Sequence, residues 1–200
     1  MDYDAGINSL KFQFPWPEKE PKVKLDLQGW FCGENMDALR RAIQETDASV
    51  VLELGAWKGL STLFLYDHCP GTIISVDHWK GSAEHLNMPE VVKDLPHLYD
   101  IFVRNCWLCK DRIIPVKADT ILGMNTIHSL GIRPEVIYVD ASHATVDVLN
   151  DLSTIFTLFP EARIVGDDWT HKTVQDAVYK LQDSFDFDLK PFGPCYEITQ

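Results

Sequence analysis

Positive charge is scarce in this chain: 18 Lys and Arg stand against 30 Asp and Glu, a formal net charge of −12 over 200 residues. A protein that grips nucleic-acid phosphates needs a cationic surface, and so does one that adheres to an anionic bilayer. Neither partner is expected. Long apolar runs are also missing: nothing reaches the ~20 residues that span a membrane, and Met1 to Phe14 lacks the basic start and apolar centre of a secretion signal. The expected location is the cytoplasm. Cysteine is sparse and odd in number, at Cys32, Cys69, Cys106, Cys109 and Cys195, which excludes a fully paired disulfide framework. Cys106 and Cys109 form a C-x-x-C, but no second pair completes a tetrahedral metal set. With Ile101 and Phe102 they share one face of a helical stretch, as small core residues do. What is present, 46% hydrophobic and 24% charged residues, suits one soluble domain with a sizeable core.

Residues 1–30 differ from the rest. Phe12-Gln-Phe-Pro-Trp-Pro17 and the mixed charges of Glu18 to Lys24 resist helix and central strand, and an irregular arm is expected there, suited to contact between two copies of the chain. Residues 31–200 read as one domain. Met36, Leu39, Ala42 and Ile43 fall at helical spacing between Asn35 and Thr46. Short apolar runs then alternate with helical patterns: Ser49–Leu54, Thr72–Val76, Ile113–Lys117, Glu135–Val139 and Ala162–Gly166 are strands, with Pro115 marking a sheet edge. Helices are expected from Leu60, from Leu98 to Cys109, around Val146 to Phe156 and from Thr173 to Leu181. The tail adds two antiparallel strands around a Phe192-Gly-Pro turn. The expected fold is α/β, a Rossmann-like doubly wound, mostly parallel seven-stranded sheet with an antiparallel last strand and helices on both faces.

In such a sheet, ligands bind beyond the carboxyl ends of the strands where strand order reverses. Four strands here end in polar groups: Glu53 to Gly55, Asp77, Asp140 and Asp167-Asp168. One such aspartate is ordinarily a helix cap; four at equivalent positions point to a site. The first turn lacks both common phosphate cradles. A dinucleotide fingerprint needs a glycine where Trp57 stands, and a P-loop needs a lysine where Leu60 follows Gly59. The remaining pattern, E-x-G-x-x-x-G-x-S from Glu53 to Ser61, suits a ligand with an amino-acid end. Asp77 ends the neighbouring strand, where a carboxylate can accept both hydroxyls of a ribose.

Val51–Thr62, Val76–Ser82, Val139–His143 and Gly166–Trp169 together resemble the class I S-adenosylmethionine-dependent methyltransferases. They are most similar to the small-molecule O-methyltransferase branch that includes the macrocin O-methyltransferase and cephalosporin hydroxylase types. The resemblance runs from about Gly29 to Ala177. It implies that Glu53, Gly55, Ala56, Trp57, Gly59 and Ser61 line the methionine end of S-adenosylmethionine. It also implies that Asp77 holds the ribose, that His78 and Trp79 flank the adenine, and that Asp119 and Thr120 meet the adenine edge. Core packing is the competing role for Trp57 and Trp79.

Asp140, Asp167 and Asp168 end adjacent parallel strands, and three converging carboxylates either raise a pKa or hold a cation. An all-oxygen set favours Mg²⁺, or another divalent ion, over zinc, and related O-methyltransferases place a metal on similar acids. Asp140 would face the cofactor as well as the metal. His143, three residues on, is placed to take a proton from an acceptor hydroxyl, with His171 as the weaker candidate. The segment Lys80 to Pro96, the arm aromatics Phe12 to Trp16 and Trp169 are expected to shape the acceptor pocket. The expected activity is a metal-assisted O-methyl transfer to a small hydroxylated molecule such as a sugar, polyol or phenol. A non-catalytic S-adenosylmethionine-binding protein is the alternative, and Trp57 disfavours a nucleotide-dependent oxidoreductase.

Overall fold

The structure, a computed structural model, describes residues 3–82 and 84–200. Helix α1 (Tyr3–Gln13) and, after an irregular stretch, α2 (Gly33–Thr46) precede strand β1 (Val50–Leu54). Then come α3 (Leu60–His68), β2 (Thr72–Asp77), the short α4 (Pro89–Val92), α5 (Leu98–Cys106) and β3 (Ile113–Lys117). The chain continues through α6 (Thr120–Ser129), β4 (Val136–Val139), α7 (Thr145–Leu158), β5 (Arg163–Gly166), α8 (Lys172–Leu181), β6 (Asp188–Phe192) and β7 (Cys195–Thr199). The seven strands form one sheet in the order β3-β2-β1-β4-β5-β7-β6. The first five are parallel; β7 runs antiparallel to both β5 and β6.

The strands are Val- and Ile-rich because both faces of the sheet are covered, so alternation with polar residues would strand charges in the core. Val50, Leu52 and Leu54 of β1 join one buried cluster with Ile155, Val178 and Tyr196. Val51 joins the other, with Leu39, Phe102 and Tyr138. Pro115 sits on β3, an outer strand, where a missing N–H leaves no ladder bond unmade. No helix among the described residues is long and apolar enough to cross a membrane.

The expectation of an irregular arm needs correcting at its start. Residues Tyr3–Gln13 are helical, because Ile7 and Leu10 at i, i+3 find a buried place in the core beside Ile132. Gly6 and Asn8 obscured that helix in the sequence. Irregular chain follows, and its Trp16 donates from Nε1 to the Ile113 carbonyl at 2.8 Å. The helix Thr120–Ser129 has no counterpart in the sequence expectation; its Thr, Ile and Gly residues are weak helix formers, and packing of Met124 and Ile127 decides it.

Candidate functional site

Strand order reverses between β1 and its two parallel neighbours β2 and β4, and a cleft of about 860 Å³ opens beyond their carboxyl ends. That lies near the upper end of the ~300–1,000 Å³ usual for small-molecule sites, enough for more than one small ligand. Its floor is the turn after β1. Gly55 has φ of +90°, and a Cβ there would overlap the Asp140 carbonyl, so the two central strands approach closely only because residue 55 is glycine. Trp57 follows at φ +48°, an unfavourable conformation for an aromatic residue. It is held open by Asp77: Oδ2 accepts from the Ala56 and Trp57 backbone N–H groups at 3.1 and 2.9 Å, and Oδ1 from Trp79 N–H at 2.6 Å. Burial raises the Asp77 carboxyl above its usual range despite these donors.

Gly55, Ala56, Trp57, Ser61, Asp77, His78, Asp119, Thr120, Asp140, His143, Asp167 and Asp168 all border this one cleft. Glu53, Gly59 and Trp79 do not; these three lie around and beneath the turn. Glu53 is wholly buried and accepts from the hydroxyls of Ser61, Thr62 and Ser75, so its side chain points into the sheet and away from the ligand space. Burial pushes its carboxyl up, favouring the neutral form. Trp79 is 4% exposed, packs on Tyr99 and Phe102, and donates to the Trp57 carbonyl at 2.8 Å. Gly59 starts α3 at φ +89° against Phe102 and Cys106.

Two covering segments meet behind the turn. Lys58 is 1% exposed, and its ammonium donates to Asp26 at 2.6 Å and Asp94 at 2.8 Å. Asp26 belongs to a strap over residues 26–31, which also receives the Trp57 indole N–H at the Gln28 carbonyl. Asp94 ends the lid over residues 81–96, which borders the cleft through Gly81, Ser82, Glu84, His85 and Met88. Phe12 to Trp16 and Trp169, by contrast, do not border the cleft. Phe12 is in solvent, Trp16 packs on Trp107 at the far end of β3, and Trp169 packs on Tyr179 and Tyr196. Trp30 and Phe31 of the strap occupy the wall instead.

At the ends of β4 and β5, Asp140, Asp167 and Asp168 each offer a carboxylate oxygen, all within 4.8 Å of one another. Oxygens sharing one ion at ~2.1–2.5 Å fall within about 4–5 Å of each other, so the set fits a hard divalent cation. Burial first, then the charges of Asp167 and Asp168, push the Asp140 carboxyl well above its usual range; burial raises Asp167 too. Asp168 has φ of +60°, and its N–H donates to its neighbour Asp167. Below the group lies a polar pair that sequence reasoning missed: Asn35 of α2 donates to the Tyr138 hydroxyl at 2.9 Å, and that hydroxyl lies 3.2 Å from Asp140 and 3.3 Å from Asp167. A tyrosine inside an otherwise aliphatic strand was the available signal, because a buried hydroxyl needs a partner.

His143 is already engaged. Its Nε2 lies 2.7 Å from Asp168 and its Nδ1 3.3 Å from Glu84 of the lid, and the Asp168 contact raises its pKa. His171 is 4.0 Å from Asp168.

A parallel sheet with this order, a glycine turn at the strand reversal and acids on the neighbouring strand ends together make a ligand cleft at the topological switch point. A family model for a methyltransferase domain matches residues 52–169. The chain belongs to that family and is a methyltransferase of the class I fold. The SAH-bound methyltransferase PaMTH1 of Podospora anserina is similar in structure at a TM-score of 0.58 and 14% identity, covering 98% of this chain and 87% of that one. An O-methyltransferase of Bacillus cereus in complex with SAH has a TM-score of 0.58 at 12% identity, covering 99% and 90%. No curated protein matches the chain by sequence.

Proposed function

We propose that the protein transfers a methyl group from S-adenosylmethionine to a hydroxyl of a small molecule, with a divalent cation held by Asp140, Asp167 and Asp168. The observation that carries this reading is the convergence of those carboxylates on the same strand ends as the Gly55 turn, within one cleft. The turn from Gly55 to Trp57 offers backbone to the methionine end, Asp77 borders the place for the ribose, His78 would flank the adenine, and Asp119 and Thr120 stand where the adenine would end. Strap and lid form two of the walls of that space. A cation on the triad would supply positive charge that makes an acceptor hydroxyl easier to deprotonate.

The chain's own part is to place and to hold. Tyr138 and Asn35 fix the Asp140 and Asp167 side chains from below, so the carboxylates need no reorganisation when a ligand arrives. His143 would be the group for the acceptor proton, received at Nε2, the nitrogen that faces Asp168 at 2.7 Å. Both SAH-bound neighbours support the choice of cosubstrate, and the Bacillus cereus protein, an O-methyltransferase, supports oxygen as the acceptor atom.

The test is calorimetric titration of the protein with SAH, followed by methyl transfer to a panel of sugars, polyols and phenols with Mg²⁺ or with EDTA. Binding of SAH and Mg²⁺-dependent transfer are expected. Binding without transfer to any acceptor would leave a cofactor-binding protein, and turnover unaffected by EDTA or by Asp140→Ala would remove the cation from the account.

A further inference from the structure

Above the glycine turn, the wall of the cleft is aromatic. Trp30 comes from the strap and His85 from the lid, and their rings lie 12° from parallel with centroids 5.6 Å apart. Trp57 completes the group, 4.3 Å from His85 and 5.7 Å from Trp30. Trp57 is anchored by its bond to Gln28. Trp30, by contrast, borders the cleft with 55% of its surface exposed, and the next lid residue, Leu86, is 64% exposed. A bare indole at the mouth of a ligand cleft is a large apolar face that a second ring can cover.

The lining of this cleft is rich in acids and poor in fixed positive charge. Among the described residues, eight of those lining it are Asp or Glu, four are His and none is Lys or Arg. Lys58, behind the turn, is already bound by two carboxylates. A phosphate or a nucleotide tail entering here meets no guanidinium or ammonium to pair with, and like charges facing each other cost affinity.

We propose that the methyl acceptor is a neutral or cationic hydroxylated ring compound seated on the exposed face formed by Trp30 and His85, and that phosphorylated or otherwise anionic acceptors are rejected. This rests on the methyl-transfer reading of the same cleft, and adds to it the acceptor class and two residues that set specificity. Trp30 supplies stacking area; His85 holds the indole at the angle that leaves its outer face open.

The experiment is ligand-observed saturation-transfer NMR on the SAH-loaded protein, with Mg²⁺ present. The probes are catechol (neutral), dopamine (cationic), 3,4-dihydroxybenzoate and glucose 6-phosphate (anionic). SAH affinity is measured in parallel by calorimetry. Catechol and dopamine are expected to bind and the anions not. Trp30→Ala and His85→Ala should each weaken dopamine binding about three- to tenfold, the scale of one aromatic pair, while SAH affinity stays within about twofold. Trp30 is half exposed, so its loss leaves the fold intact, and a thermal melt verifies this. Trp30→Phe should restore most of the binding, which a merely structural role for the indole would not require. Anionic probes binding as well as dopamine, no ring probe binding, or dopamine affinity unchanged in both alanine variants would each overturn the proposal while SAH still binds. Failure of the wild type to bind SAH would overturn the methyl-transfer reading itself, and the acceptor class with it.

Discussion

Replacing Lys58 with methionine tests how the cleft is covered. The ammonium is 1% exposed and is the shared donor to Asp26 on the strap and Asp94 on the lid, at 2.6 and 2.8 Å. Methionine keeps most of the side-chain volume, so the loss is electrostatic and leaves no large cavity. Removing one partner of a fully buried ion pair costs ~3–5 kcal/mol, because the other charge is stranded. Here the carboxylates are 38% and 18% exposed, and water screens what the ammonium no longer does. A loss of about 2–3 kcal/mol is therefore expected, or about 5–10 °C in melting temperature for a domain of this size. The assay is urea and thermal unfolding at pH 7, paired with amide hydrogen exchange. Exchange should rise in residues 24–32 and 81–96 and stay unchanged in the central strands, since the pair fastens the covering segments and not the sheet. Adding Asp94→Asn to Lys58→Met should recover stability, because it removes a stranded charge. The acid limb carries a further sign. The Lys58 ammonium holds the Asp26 carboxyl below its usual range, so the stabilisation is present above the unfolded value and is lost as pH falls through the lower folded value. Lys58→Met should lose that part of the acid dependence. A variant within about 0.5 kcal/mol of wild type, with unaltered exchange in both segments, would refute the reasoning.

Other expectations follow from single contacts. Gly55→Ala forces a Cβ into the Asp140 carbonyl at a positive φ, and should lower stability by about 3 kcal/mol or more and abolish SAH binding, read by melting and calorimetry. Tyr138→Phe removes the hydroxyl that accepts from the Asn35 amide and lies between Asp140 and Asp167; about 1–3 kcal/mol of stability should go, and the rise in melting temperature on adding Mg²⁺ should shrink. Burial lifts Asp151 to about 6, against the Thr120 hydroxyl bond that opposes it. A raised carboxyl means the folded chain holds its proton more tightly, so stability should fall as pH rises from about 4 through 6. Asp151→Asn should flatten that slope and gain up to about 2 kcal/mol at pH 7.5 in urea titrations.

The sheet was legible because five apolar runs, each followed by helical spacing, leave little choice of architecture, and Pro115 marked its strand as an outer one. What escaped were α1 and α6, whose own residues are poor helix formers and whose helicity comes from Ile7, Leu10, Met124 and Ile127 meeting the core. At the site, the acids on the strand ends could be placed because the carboxyl end of every parallel strand faces the same edge. Whether a side chain there points up or down could not. Glu53 lies just two residues before Gly55 and turns into the sheet to three hydroxyls, and Trp79 lies two beyond Asp77 and folds under the turn. The arm aromatics Phe12 to Trp16 are expected from sequence to help shape the acceptor pocket, whereas Trp30 and Phe31 border the cleft, since the prolines locate irregular chain without saying where it goes.

The prolines of the two outer strands bear on a different property of the molecule. Pro115 lies on β3 and Pro191 on β6, the opposite borders of the sheet, and the Ile113 carbonyl on β3 is occupied by the Trp16 indole. A neighbouring polypeptide trying to zip onto either border would meet a missing donor, and on β3 a carbonyl already taken. The sheet is blunted at both rims, so growth into fibrils by strand addition is discouraged.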